Sequence, residues 1–178
     1  MKNAIACLAL VGGFSVASAA DASSIAAGLP SSSYSQSGVF GGDDAESAFN
    51  GGFWNAGNFG DQWIQVDLLT SHLVSSVSFA TNQEPNGVTS HSVFISDSPI
   101  GDDFGLLAPV ASRNGFSVTG TQFTFAFSPT SGRYLEIVAN GGPSWTSIGR
   151  VNAVPVPAAL WLFGSTIAGL GMLRRKFA

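Results

Sequence analysis

The chain has 178 residues, room for one domain with appendages. It is 45% hydrophobic and only 10% charged, with 22 glycines, a balance that favours strands and turns over helices. From residue 20 to 153, eleven acids face only Arg113, Arg133 and Arg150, a net charge of −8 with histidine neutral; with no basic cluster to neutralise phosphates, nucleic acid is excluded as a partner and calcium is the better electrostatic match.

At the N-terminus Lys2 precedes an apolar run, Ala4 to Val16, and then Ala17-Ser18-Ala19. A positive start, an apolar stretch and a small-x-small site make a secretory signal peptide over residues 1–19, cut after Ala19. The only cysteine, Cys7, falls inside it, so the mature chain is expected to have no disulfide and to rely on burial. Residues 20–30, rich in Ala and Ser, read as a leader.

Over residues 31–153 apolar side chains recur with period two. Ile64, Val66 and Leu68 share a face, as do Val77 and Phe79, Val93 and Ile95, Phe123, Phe125 and Phe127, and Leu135 and Ile137; Ile148 to Ala153 closes the series. Turn signals separate them at Asn82 to Gly87, Asp97 to Gly105, Asn114-Gly115, Ser128 to Gly132 and Asn140 to Pro143. No sustained helical period appears before Pro157. Six or more short strands in about 120 residues predict an all-β antiparallel sandwich, because each sheet must bury one face.

Residues 154–178 have three parts. Val154-Pro155-Val156-Pro157 blocks any element from running through. Ala158 to Leu173 is free of charge and, as a helix, spans roughly 24 Å at about 1.5 Å per residue, enough for a short transmembrane helix. Arg174, Arg175 and Lys176 then set the C-terminus on the cytoplasmic side.

Two resemblances follow from these residues. The tail, with Trp161-Leu162-Phe163-Gly164-Ser165 inside it, resembles the PEP-CTERM sorting signal in its Val-Pro-x-Pro-Ala form, with Val156 where the name-giving Glu would stand. That resemblance implies processing by exosortase at the inner membrane and passage outward in a Gram-negative, exopolysaccharide-producing cell. The middle is similar to the discoidin or coagulation-factor type C domain, a jelly roll in the galactose-binding-like superfamily. The likeness is carried by Ala48-Phe49-Asn50-Gly51, Gln62 to Leu68, Val93 to Asp97 and Arg133 to Ile137. The flanking cysteine pair is absent, and Leu69 stands where Gly usually follows Asp-Leu.

Candidate site residues are few. Asp43, Asp44, Glu46 and Asn50 bring four oxygen-bearing side chains into eight residues beside two Gly-Gly pairs, a possible calcium loop; the discoidin-like resemblance implies a structural calcium nearby. Trp54 and Trp145 lie in Gly/Asn/Ser-rich stretches, where an exposed ring could stack on a sugar, or each could plug an end of the sandwich. His91 and Arg113 complete the ligand candidates, with His91 expected to point to solvent. Arg133 is expected to pair with an acid at a sandwich end. With no Gly-x-Ser-x-Gly elbow, no His-x-x-x-His and only two histidines, no catalytic residue is expected. The expectation is an exported, exosortase-sorted, non-enzymatic protein of the cell surface or biofilm matrix that binds extracellular glycan. Alternatives are a structural or protein-interaction module of the envelope and, third, a glycan-active enzyme.

Overall fold

Two long strands form the spine: β3 (Asp61–Thr81) and β6 (Gln122–Asn140), paired antiparallel from Asp61↔Asn140 to Ala80↔Gln122. The computed structural model describes residues 24–156; Ala17, Ala19, Pro157, Arg174, Arg175 and Lys176 lie outside the described residues. The β3/β6 ribbon shifts register between Asp67 and His72 and again between Val74 and Ser76. Such bulges bend strands and let them pass from one sheet to another.

Each half of the ribbon organises one layer. The Asp61–Asp67 half pairs with β1 (Tyr34–Gln36) and with the far half of β6, which pairs in turn with β4 (Gly87–Ser96), and β4 with β5 (Ala111–Ser117). The Val74–Thr81 half pairs with β7 (Ser147–Pro155), and β7 with β2 (Phe53–Asn55). Every pairing is antiparallel, and the result is a seven-stranded sandwich.

The alternation read from sequence builds its interior. Ile64, Val66, Leu68, Val77, Phe79, Val93, Phe123, Phe125, Leu135, Ile137, Ile148 and Val151 are buried in one cluster. A short helix, α1 (Ala45–Phe49), adds Ala45, Ala48 and Phe49 to it. A second, smaller cluster lies on the outer face, where Trp63, Phe94 and Val138 meet Ile100 and, from the 3-10 segment Gly101–Leu106 that it precedes, Phe104.

Three local expectations change. Ser128 to Gly132 is no turn: Thr130, Ser131 and Gly132 stay paired with Val74, Leu73 and His72, so the residues that signalled a break form the corner of a continuous strand. Asn114-Gly115 also lies in a strand, β5, where Ser90 and Thr89 of β4 hold its backbone. The stretch read as a leader packs inward: the Ile25 amide donates to the Ala153 carbonyl at 3.1 Å, Ala26 is buried, and the Tyr34 hydroxyl donates to the Ala26 carbonyl at 3.0 Å.

At the bend, Arg133 makes a two-pronged pair with Asp67, Nε to Oδ1 at 2.7 Å and Nη2 to Oδ2 at 2.6 Å, as anticipated for this arginine. Its hydrogen bonds hold the Asp67 carboxyl below the usual carboxylate range. The Leu69 amide donates to the same carboxylate at 2.8 Å, and Leu69 sits at φ +68°. That left-handed conformation explains why glycine is the common residue there; a leucine tolerates it at a cost of about 1–2 kcal/mol.

The bend also brings both ends of β3 to one pole of the sandwich. The turns after β2, β3 and β6 therefore meet there.

Candidate functional site

At this pole the segments 56–60, 82–86 and 141–146 enclose a cleft of about 300 Å³, lined by Asn55, Phe59, Asn82, Glu84, Pro85, Pro143, Ser144, Trp145 and Ser147. Buried hydrogen bonds stitch its walls together. The Thr146 hydroxyl accepts from the Gly141 amide and donates to the Gly60 carbonyl, both at 3.0 Å, while the Thr146 amide donates to Asn58. The Gln83 amide nitrogen donates to the Gly141 carbonyl at 2.6 Å and to Pro85 at 3.0 Å. Ser144 Oγ donates to the Glu84 carbonyl at 2.6 Å. Gly142 is irreplaceable here: it lies at φ +59°, and any Cβ would run into the Val88 carbonyl. A cleft tied this way is set before anything enters it, which lowers the cost of binding.

Trp145 is the cleft's aromatic centre. It is 38% exposed, and Phe40 and Phe59, themselves 51% and 55% exposed, meet it edge-on with ring centroids at 4.9 and 6.5 Å. An indole exposed to this degree and flanked by two exposed rings can offer an aromatic surface to the C–H face of a pyranose. Among the described residues no hydrogen bond engages the side chains of Asn82 or Glu84, and Asn55 spends only its Oδ1, on the Gly57 amide. The polar groups that would orient a sugar are thus carried on the rim of the aromatic platform.

Of the four ligand candidates read from sequence, only Trp145 lines this cleft. Trp54 is corrected outright. It is completely buried in the main core, and its Nε1 donates to the Gly38 carbonyl at 2.7 Å; no face is left for a sugar. His91, expected at the surface, is 3% exposed, packed on Phe79 and Phe123 with centroids at 5.2 and 4.7 Å. Burial pushes its imidazole down to about 4, so it stays neutral in the core. Its inward side of β4 follows the alternation Thr89, His91, Val93, which a polar residue does not advertise. Arg113, opposite His91 on β5, lays its guanidinium over the Phe123 ring at 5.0 Å, apart from the cleft.

In the acidic loop two of the four proposed calcium ligands are engaged in local hydrogen bonds. Asp44 caps α1, accepting from the Ser47 amide at 2.8 Å, a bond that holds its carboxyl below the usual range. Asn50 accepts from the Gly28 amide at 2.8 Å and donates to the Glu46 carbonyl at 3.0 Å. Asp43 is tied through its backbone to Phe40 and Asn55. Among the described residues no three His, Cys, Asp or Glu side chains converge on a point, Asp43, Asp44 and Glu46 included. Two of the four side-chain oxygens are thus spent locally, Asp44 on a helix cap and Asn50 on a loop tie.

Sequence reasoning missed Phe40, Phe59 and Glu84. The first two had a usable signal: Phe40 precedes Gly41-Gly42 and Phe59 sits in Gly57-Asn58-Phe59-Gly60, aromatics in turns with no strand alternation to bury them. Glu84 had none, since its place in the cleft depends on the meeting of distant turns.

The F5/8 type C domain model matches residues 29–152, and the chain belongs to that family. Several solved structures share the fold. The CBM32 of AlyQ in complex with 4,5-unsaturated mannuronic acid is 26% identical, with 68% of this chain and 92% of that one covered at a TM-score of 0.55. The family 32 CBM from C. perfringens NanJ in complex with galactose is 21% identical, covering 67% and 90%, TM-score 0.55. Chitosan-binding module 2, in complex with chitotriose, from the chitosanase/glucanase of Paenibacillus sp. IK-5 is 17% identical, covering 73% and 98%, TM-score 0.53. No curated protein matches the sequence.

Proposed function

We propose that this protein binds extracellular glycan in the cleft around Trp145 and performs no reaction on it. The observation that carries the reading is a half-exposed indole, braced by Phe40 and Phe59, on turns locked by buried hydrogen bonds. Carbohydrate-bound modules among its structural neighbours support it. The Trp145→Ala variant of residues 24–156 should lose about fivefold to 150-fold in affinity for any polysaccharide the parent retains, as expected when aromatic stacking worth roughly 1–3 kcal/mol is removed. The check is affinity electrophoresis or pull-down on a polysaccharide panel. Parent and variant binding alike, or a parent that binds nothing, would remove the reading.

The export route is part of the same proposal. A signal peptide cut after Ala19, and an exosortase-processed tail over 154–178, would place the sandwich at the surface or in the exopolysaccharide matrix of a Gram-negative biofilm, anchored in the inner membrane only in transit. The order of Lys2, the apolar run and Ala17-Ser18-Ala19, and of Pro-x-Pro, apolar stretch and Arg174-Arg175-Lys176, supports it. A cut beyond Val156 leaves β7 whole, since that strand ends at Pro155, and keeps the bond from the Val156 amide to the Leu73 carbonyl at 2.8 Å. Mass spectrometry of the exported protein should find it ending near Val154 to Pro157; Arg174 to Lys176 still attached would count against it. Many copies on one polymer would turn weak single-site binding into firm attachment.

A further inference from the structure

From the charges around the cleft we infer that its ligand is a cationic amino-glycan, a polymer carrying protonated hexosamine amines, and that uronate polymers are rejected. The inference rests on the glycan reading above and specifies the class of sugar.

Glu84 lines the cleft beside Trp145, and no lysine, arginine or histidine does. The three arginines of residues 24–156 are engaged elsewhere: Arg113 over Phe123, Arg133 on Asp67, and Arg150 over Phe53 at 5.4 Å. None is poised to receive a carboxylate or sulfate. Over the same residues ten acids stand against those three arginines, so the field reaching the cleft is negative from near and far. A ring stacked on Trp145 brings its substituents to the rim where Glu84, Asn55 and Asn82 lie. An ammonium there gains an ion pair with Glu84 at the modest cost of partly desolvating two exposed charges, and displaces no cation; a uronate meets a like charge and finds no guanidinium to bind it. The AlyQ module in complex with an unsaturated mannuronic acid shares this fold; the charge on the present cleft sets its ligand apart from that one.

The test compares the glucosamine trimer, the N-acetylglucosamine trimer and an oligomannuronate of equal length. Each is titrated calorimetrically against the full chain in mild detergent, at low salt and about pH 5.5, where the amines are protonated. The amine form should bind about threefold to fivefold tighter than the acetylated form, the range expected of a solvent-exposed ion pair, with the uronate weakest. Raising salt to about 0.5 M should erase most of the difference. Glu84→Gln should bring the ratio to about one, whereas Asp97→Asn, at the far end of β4, should keep it. A uronate that binds as well as the amine overturns the inference; so does a preference that survives Glu84→Gln, or one that Asp97→Asn abolishes equally. Failure of all three sugars to bind also overturns the inference, whereas the glycan site itself falls only if the parent retains no polysaccharide of the wider panel or if binding is untouched by Trp145→Ala.

Discussion

Trp54→Ala will cost about 3–5 kcal/mol of stability, the largest loss expected from any single tryptophan in the sandwich. The ring is sealed in the core, on a strand paired with β7 at Trp54↔Ile148, and it is the largest fully buried side chain. Truncation removes a bicyclic ring from a close-packed interior, which can refill only in part, and strips the Gly38 carbonyl of its donor. Domains of this size are stable by about 5–15 kcal/mol, so the variant should be only marginally folded. Trp54→Phe, which keeps much of the volume but not the N–H, should lose about half as much. Trp145→Ala should cost little by the same measure. Urea unfolding followed by circular dichroism reads all three as shifts of midpoint at constant slope. A Trp54→Ala protein within about 1 kcal/mol of the parent would mean that this ring is not the core plug described above.

The second large effect concerns pH. Glu136 lies on the outer face of β6, between Gln65 of β3 and Phe94 of β4, under the Gly101–Leu106 segment. It is fully buried; Oε2 accepts from the Gly101 amide at 2.8 Å, and Oε1 has no partner. Burial pushes its carboxyl up to about 8, with the Asp102 charge adding to the rise. The folded chain thus keeps a proton that the unfolded chain releases near 4.5, the ordinary value. Between these two pH values the folded state binds more protons, so this group's contribution to stability is complete below about pH 4.5, declines as pH rises, and is gone above about pH 8. The fall amounts to a few kcal/mol, roughly the cost of ionising one buried carboxyl. Glu136→Gln should flatten the profile and outlast the parent at pH 8. In the parent, amide exchange at Gly101 should quicken toward pH 8, because the ionised carboxylate draws water under the segment. Parent stability that is level or rising from pH 5 to 8, or a Gln variant with the same decline, would refute this assignment.

How much of this was legible beforehand divides along a physical line. Period-two alternation is a local property, and it identified the strand-borne core from Ile64 and Val66 to Phe123 and Ile137. Ala26, Ala45, Ala48, Phe49 and Trp54, which enter from the leader, α1 and β2, escaped it. What it could not show is that one ribbon serves both layers, because Ser128 to Gly132 carries the residues of a turn while its hydrogen bonds are supplied by β3, over fifty residues earlier. The same limit governs the site. Trp54 and Trp145 look alike in sequence, each among small polar residues, yet one faces the core from β2 and the other faces solvent between β6 and β7. Only the packing of α1 and the 38–43 loop separates them. Local charge density is ambiguous for the acidic loop, since helix capping and calcium binding draw on the same residue types.

The bend in the ribbon has an outcome for how the molecule presents itself. Val156 leaves the sandwich beside Leu73, at the corner, whereas Trp145 lies beyond the opposite ends of β3, about 25 Å away at roughly 3.3 Å per strand residue. Val156, the last described residue, therefore leaves the sandwich on the side away from the Trp145 cleft. Fixed by that end to any surface, the sandwich would hold its aromatic mouth outward, like a hook mounted by its shank.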